Sequence, residues 1–316
     1  MRIVVTGGAG FLGTLVTEAL LAGGTAREVV SLDLAPSRVQ DPRVRSVVGD
    51  LTDPAVLEDA LPEGTDAVLH LAAVLSGGSA QDFDLSERVN LDGTRALLGR
   101  VRALSALREQ PLRLVFTSSL AVFGGEVPEI VPATWAARPA STYGAFKAIG
   151  ELLVAEHTRK GFADGRVCRL PTIAVRPGAP NSAASSFASG IIREPLQGVP
   201  STCPVPHSTR LWLAGPRTVV ANLVHALTLP PGALGDWPVL DLPGLTVTVG
   251  EMLASLERAG GAEARALVTD EPDPAVEEIV GSWPGAFDVE RALALGFGQD
   301  ASFDDLVAEF VEDHLR

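Results

Sequence analysis

Residues 1–33 read MRIVVTGGAGFLGTLVTEALLAGGTAREVVSLD. RIVVT at 2–6 and EVVSLD at 28–33 are near-continuous apolar runs, and between them residues 11–22 repeat apolar positions every three to four residues. The first pattern is that of a strand buried on both faces and the second that of a helix, so the stretch reads strand, helix, strand. The turn that joins strand to helix is 7-GGAGFLG-13, with Gly7, Gly10 and Gly13 in GxxGxxG spacing. Glycine lets the backbone approach a pyrophosphate closely, and the helix that follows offers unsatisfied N–H groups and a favourable dipole. Asp33 stands twenty residues past Gly13, at the end of the second strand. A carboxylate there accepts hydrogen bonds from an adenosine ribose and repels a 2′-phosphate. The stretch predicts a dinucleotide site that favours NAD, with Arg38 as the nearby basic residue that would argue for NADP.

Outward from this start the alternation continues. RVRSVVG (43–49), DAVLHLA (66–72) and LRLVFTSS (112–119) read as further strands, with helical periodicity at 53–61, 80–107 and 141–160. Apolar strands separated by helices predict a doubly wound α/β layout, so residues 1–170 read as a dinucleotide-binding domain. From 171 to 206 the chain is rich in Pro, Gly, Ser and Ala and predicts an irregular, site-bearing loop region. A strand at 209–214, a helix at 216–228, a strand at 238–242 and helices at 248–259 and 302–315 follow. Thr248 with Glu251 and Ser302 with Asp305 have the spacing of helix start signals. Residues 171–316 are expected to form a substrate-binding region, with 209–230 packing back on the first domain.

The composition, 46% hydrophobic and 20% charged, is that of a globular chain. No segment approaches the roughly 18–20 uninterrupted apolar residues of a membrane span, and the N-terminus lacks a secretory pattern, so a cytoplasmic location is expected. A net charge of −14 opposes binding to a nucleic-acid backbone. Cys168 and Cys203 lack CxxC spacing and a neighbouring histidine pair, so the reading is inert thiols and no metal.

The one tyrosine of the chain, Tyr143, lies four positions before Lys147, one of only two lysines. Positions i and i+4 share a helix face. To act as a base near neutral pH a phenol must fall by about three pKa units, worth about 4 kcal/mol. A positive charge about 4 Å away, at an effective dielectric near 20, supplies about that much. Lys147 is therefore expected to lower the Tyr143 pKa. In 117-TSSLAVFG-124, Ser119 is the residue expected to hold the substrate oxygen.

The glycine spacing, Asp33, 49-GDLTD-53, 70-HLAA-73, 90-NLDGT-94, 117-TSSLAVFG-124 and 143-YGAFK-147, in this order, resemble the extended short-chain dehydrogenase/reductase superfamily. That superfamily includes sugar-nucleotide epimerases and dehydratases. The resemblance covers essentially the whole chain and implies a Rossmann fold with a smaller C-terminal substrate domain. It implies catalytic roles for Ser119, Tyr143 and Lys147. It places Asp50 and Leu51 on the adenine side of NAD and Ala72 and Lys147 on the nicotinamide-ribose side. Further cofactor contacts are implied at Gly7, Gly10, Phe11, Leu12, Gly13, Asp33, Leu71, Ala73, Asn90, Thr117, Tyr143, Leu170 and Thr172. It also implies a homodimer formed through the helices at 80–107 and 141–160. His70 reads as a packing residue beside the cofactor.

Sugar-nucleotide members usually carry an aromatic-rich strand of the type RDYIHV before the helix near 210–226, whereas this chain has 209-TRLWLAGPRTVVANLVHAL-227. The stretches 74–84, 169–196, 210–213 and 282–288 resemble instead members that oxidise the 2-hydroxyl of a small sugar acid with NAD. Between residues 165 and 235 stand six arginines (166, 169, 176, 193, 210, 217) against one acid, Glu194. They are either solvated and paired with distant acids or form a site for an anionic substrate. Arg210 matches the position that meets substrate anions in the wider superfamily, with Arg193 and Arg176 as further candidates. Ser76 and Ser185 or Ser186 could bind hydroxyls. An epimerase or dehydratase, and an NAD-sensing regulator without chemistry, are the alternatives.

Overall fold

In the computed structural model, residues 1–178 and 183–315 are described. Residues 179–182, inside the 171–206 segment, and Arg316 lie outside the described residues. The strands in chain order are β1 (Arg2–Thr6), β2 (Glu28–Asp33), β3 (Val44–Val48), β4 (Ala67–His70), β5 (Arg113–Ser119), β6 (Asp164–Leu170), β7 (Thr172–Ile173), β8 (Ser201–Cys203), β9 (Arg210–Ala214), β10 (Val239–Asp241), β11 (Leu245–Thr248) and β12 (Val268–Asp270). The helices are α1 (Phe11–Ala22), α2 (Pro54–Ala60), α3 (Ser76–Gln81), α4 (Phe83–Ser86), α5 (Gly93–Ser105), α6 (Thr142–Arg159), α7 (Ser186–Leu196), α8 (Pro216–Thr228), α9 (Val249–Ala266), α10 (Pro274–Gly281), α11 (Glu290–Ala294) and α12 (Phe303–His314).

Seven parallel strands form the main sheet in the order β10-β6-β5-β4-β1-β2-β3. The chain reverses direction across the sheet between β1 and β4, and a doubly wound fold opens its ligand crevice at that switch. Alternation along β1 shows why the strands read as unbroken apolar runs. Ile3 and Val5 pack with Val16 and Leu20 of α1 and Val219 and Leu223 of α8, while Val4 faces Leu97, Leu98 and Val101 of α5. A second core joins Ile191 and Ile192 of α7, Leu211 and Leu213 of β9, Leu253 and Leu256 of α9, and Leu306 and Phe310 of α12. It lies on a small sheet of order β11-β9-β7. A two-stranded pair, β8 with β12, stands apart from both.

Residues beyond 170 contribute to both bodies, because α8 and β10 belong to the main sheet and its cover while α7, α9 and α12 surround the smaller one. Both helix start signals form. Thr248 and Glu251 make a reciprocal capping box, and the Ser302 hydroxyl accepts from the Asp305 N–H at 3.2 Å.

Besides β11, β12, α10 and α11, which the sequence reading does not name, three regions differ from it. The single helix expected at 80–107 is divided into α4, a π-helical turn over Glu87–Asp92, and α5, with Asp82 capping α4. The irregular segment 171–206 contains β7, α7 and β8. Strand β6 was not expected, since Arg166 and Arg169 interrupt its apolar run. Both arginines are buried in ion pairs, Arg166 with Asp164 and Arg169 with Glu151.

Candidate active site

A cleft of about 540 Å³ runs across the carboxyl ends of the main-sheet strands. At its floor the glycine turn brings α1 against β1. A Cβ on Gly13 would lie 2.2 Å from the Gly7 carbonyl oxygen, so any side chain there would push helix and strand apart. Gly10 is the N-cap of α1 and no side chain caps it, which leaves the first-turn N–H groups facing the cleft mouth as anion donors. Asp33 lines the cleft and accepts from the Ala9 N–H at 3.0 Å, tying the loop to the end of β2. The Asp50 carboxylate is held below its usual range by hydrogen bonds from the Thr52 N–H and hydroxyl.

Sixteen of the seventeen residues expected to meet a dinucleotide line this cleft: Gly7, Gly10, Phe11, Leu12, Gly13, Asp33, Asp50, Leu51, Leu71, Ala72, Ala73, Thr117, Tyr143, Lys147, Leu170 and Thr172. The close backbone approach at the glycines, the uncapped helix end and a strand-end carboxylate form a donor set that fits such a ligand. Asn90 is the exception. It is buried behind the wall, where its amide oxygen accepts from the Val74 N–H at 2.7 Å and its amide nitrogen donates to the Val74 carbonyl at 3.0 Å. Asn90 therefore fixes the wall rather than facing the cleft.

Ser141 caps α6 by accepting from the Gly144 N–H at 3.1 Å, which starts the helix one residue before Tyr143. Gly144 lets that end of the helix touch the loop after β5, since a Cβ there would lie 2.0 Å from the Ala121 carbonyl oxygen. This approach brings Tyr143 to Ser119. The neighbouring Ser118 is committed elsewhere, donating to Glu151 at 2.5 Å. Lys147, 4% exposed, donates to the Thr117 carbonyl at 2.7 Å, and its nitrogen lies 5.7 Å from the Tyr143 ring centre.

The expected lowering of Tyr143 by Lys147 is corrected by this environment. Burial pushes the phenol up to about 12, and the Ser119 hydroxyl is the group that pulls it down. Burial likewise lowers Lys147 to about 8, with the charge of Glu151 opposing the fall. Desolvation outweighs a single opposed charge when both groups are buried. Burial, and then the charge of Lys147, depress His70 to about 3, so it is neutral across the physiological range.

On the facing wall the cleft is lined by Ser76, Ser185, Arg176 and Trp283. The Ser76 hydroxyl accepts from the Ala184 N–H at 3.0 Å and so anchors this wall to α3. The arginine expected to face the cleft, Arg210, does not line it. Arg210 is exposed and its guanidinium reaches Glu129 at 3.4 Å, because its Cβ is turned toward Gly285 at the outer end of β9. Arg193 is buried and does not line the cleft either. It donates to the Arg176 carbonyl at 2.7 Å, while Ser189, one turn earlier on α7, accepts from the Arg176 N–H at 3.0 Å. Helix α7 thus clamps the backbone of Arg176 on both sides. Burial, followed by the like charge of Arg193, lowers the Arg176 pKa.

Among the six arginines, Arg166, Arg169, Arg193, Arg210 and Arg217 pair with acids distant or adjacent in the chain. Trp283 was missed as a site residue, although 282-SWPGAFD-288 had been singled out as a stretch. Away from the cleft, Cys203, His207 and Asp270 bring donor atoms within 4.8 Å of one another, an association the sequence reading did not foresee. The Cys203 thiol donates to the Val205 carbonyl and is raised by burial, which disfavours the thiolate that a metal would need.

Comparison with known proteins agrees with this geometry. The chain is 52% identical to D-erythronate dehydrogenase of Cupriavidus necator, covering 99% of this chain and 98% of that one. It is 44% identical to the protein of the same name from Haemophilus influenzae, covering 99% of both. A solved structure named as the nucleoside-diphosphate-sugar epimerase from Agrobacterium tumefaciens superposes with a TM-score of 0.93 at 38% identity, covering 100% of this chain and 94% of that one. The family model described as the NAD dependent epimerase/dehydratase family matches residues 3–212, and with a seven-stranded doubly wound sheet and a glycine-floored cleft at its switch point, the chain belongs to that family.

Proposed function

We propose that the chain is an NAD-dependent dehydrogenase that oxidises the 2-hydroxyl of a small sugar acid, D-erythronate by the names of its relatives. One observation carries this reading. A single cleft joins the glycine cradle to Ser119, Tyr143 and Lys147 on one side and to a half-buried cleft arginine, Arg176, on the other. Asp33 lines the cleft and Arg38 is exposed outside it, which favours NAD over its 2′-phosphorylated form.

In this reading Tyr143 Oη takes the proton of the C2 hydroxyl, and the C2 hydrogen leaves with its electron pair, so the product is a 2-oxo acid. Ser119 holds the reacting oxygen and Lys147 holds the nicotinamide-side ribose. When bound, the oxidised dinucleotide supplies the hydride acceptor and a positive charge beside the phenol. Arg176 meets the substrate carboxylate from the cleft wall, with its backbone fixed by Ser189 and Arg193. Ser185, on the same wall, is placed to meet a hydroxyl.

A screen for NADH absorbance over four- to six-carbon aldonates, with UDP-sugars as controls, tests the reading. Turnover is expected with a four-carbon aldonate. Silence across the aldonates, or a UDP-sugar converted without net NADH, would transfer the chain to the epimerases. In the same assay Arg176→Met is expected to raise the aldonate KM by about 10- to 100-fold with the NAD KM little changed, the value of a charge-assisted hydrogen-bond pair. Arg210→Ala is expected to leave both near wild type. The reverse ranking would return the carboxylate to Arg210.

The chain is further proposed to dimerise through α4 and α6. Phe83, Ile149 and Leu152 are exposed there, the last two three residues apart on one helix face. Sedimentation is expected to give twice the 32.9 kDa chain mass, and Leu152→Glu to reduce it. A monomer in the wild type would remove this proposal.

A further inference from the structure

Beneath the cleft lies a buried ionic network that the proposed chemistry does not use. Helix α6 presents Tyr143, Lys147 and Glu151 at successive i+4 positions, and Glu151 is 2% exposed. Arg169 of β6 grips its carboxylate with two parallel bonds, Nε to Oε1 and Nη2 to Oε2, both at 2.8 Å. The Arg169 guanidinium also reaches Asp241 of β10 at 3.4 Å and lies 4.7 Å above the centre of the Phe123 ring. From β5, Ser118 donates to Glu151. Strands β5 and β6 are therefore tied to α6 through the Glu151 carboxylate, and β10 joins through Arg169.

Stability is a poor explanation for such a network. Replacing a buried ion pair by well-packed apolar residues is often neutral or stabilising, because desolvation offsets the Coulomb gain. Its position suggests another purpose. Glu151 is one turn from Lys147 on the same helix and bonded to the residue before Ser119. We propose that Glu151, held by Arg169, is a positioning residue: it keeps the Lys147 ammonium charged beside Tyr143 and fixes the strand end that carries Ser119.

The groups that face Lys147 support this assignment. On its own helix are Tyr143 and Glu151; from β4 comes His70, neutral, and from β5 the Thr117 carbonyl and the Phe116 ring, 5.0 Å from the ammonium. The negative charge of Glu151 opposes the desolvation that draws Lys147 down to about 8. Glu151 in turn is balanced by Arg169, with Asp241 and, beyond it, Asp288 as the further acids. Neutralising Glu151 would let desolvation act on Lys147 unopposed.

This inference deepens the proposed site and rests on Lys147 as its ammonium, yet its test does not depend on the substrate. The two lysines of the chain, buried Lys147 and exposed Lys160, would give two resonances in protein labelled at lysine 13Cε. Titration by NMR is expected to place Lys147 near 8 in the wild type. In Glu151→Gln the midpoint should be lower by about one pH unit or more, with Lys160 unmoved. The alkaline limb of kcat/KM should shift by the same amount, and Glu151→Asp, which keeps the charge, should recover part of it. A folded Glu151→Gln protein whose Lys147 midpoint stays within about 0.3 unit of wild type overturns the proposal. So does failure of both Glu151→Gln and Glu151→Met to fold, since the network would then be structural. A silent aldonate screen with a shifted Lys147 midpoint would remove the substrate reading alone.

Discussion

Tyr143→Phe is expected to lower kcat by about 10²- to 10⁴-fold while leaving the dissociation constant of NAD within about threefold of wild type. The substitution removes only the phenolic oxygen and keeps the ring beside Lys147. The protein's own groups leave the phenol near 12, where it is protonated at neutral pH and suited to donate a proton in the reductive direction. Oxidation needs the phenolate, so its rate should rise with pH through the phenol pKa of the substrate-ready complex. Because Tyr143 is the one tyrosine, phenolate absorbance reports this group without interference from another. Its midpoint should lie near 12 in the protein alone and fall when NAD is added. A Phe variant that reduces NAD within tenfold of wild type would remove Tyr143 from the reaction.

His70 carries the largest expected effect on stability. Its Nδ1 is 2.7 Å from the Thr6 hydroxyl and its Nε2 3.0 Å from the Thr94 hydroxyl, which spends its own proton on the Asn90 carbonyl. Thr94 must then accept from Nε2–H, and Nδ1 accepts from Thr6, so the neutral ring satisfies both partners and an imidazolium would not. The folded pKa near 3 lies below the ordinary 6.5, so between these values the unfolded chain binds more protons. Stability from this group is fully present above 6.5 and is lost as pH falls, by about 2 to 3 kcal/mol at pH 4.5. Asp241, raised to about 6, works in the opposite sense between 6 and its ordinary 3.8, since there the folded state binds the extra proton. The contribution of His70 is therefore read as a difference. Urea unfolding at pH 7.5 and 4.5 should show wild type losing about 2 to 3 kcal/mol more than His70→Gln. Parallel losses in the two proteins would contradict the neutral, doubly bonded ring.

The parts of this molecule that were legible in sequence are those whose physics is local. A strand covered on both faces must be apolar throughout, so β1, β2 and β5 could be read, and the glycine spacing with Asp33 located the crevice before any contact was known. Strand β6 could not be read in that way. DGRVCRL carries two arginines whose partners, Asp164 apart, sit on α6 and β10, and only the tertiary structure makes their burial tolerable. Helix α7 was hidden by its Ser, Gly and Pro195, although Ala188, Ile191 and Ile192 keep a helical spacing that could have found it. The arginine excess was visible, but its meaning depended on where the acids fold. Arg166, Arg169, Arg193, Arg210 and Arg217 all pair with acids, and Arg176 is the one of the six that lines the cleft.

The order of strands across the main sheet also sets a timetable for the nascent chain. Edge strand β10 pairs with β6, yet it is made roughly 70 residues later, after the smaller core has begun. At ribosomal rates of about 5–20 residues per second, that delay is about 4 to 14 s. During it β6 presents an open edge, and Arg169 waits without Asp241. The same helix-bearing stretch that covers α1, residues 216–228, is also absent for most of that interval. The main sheet therefore cannot be completed until residue 241 has been synthesised, and its assembly is tied to that of the smaller core.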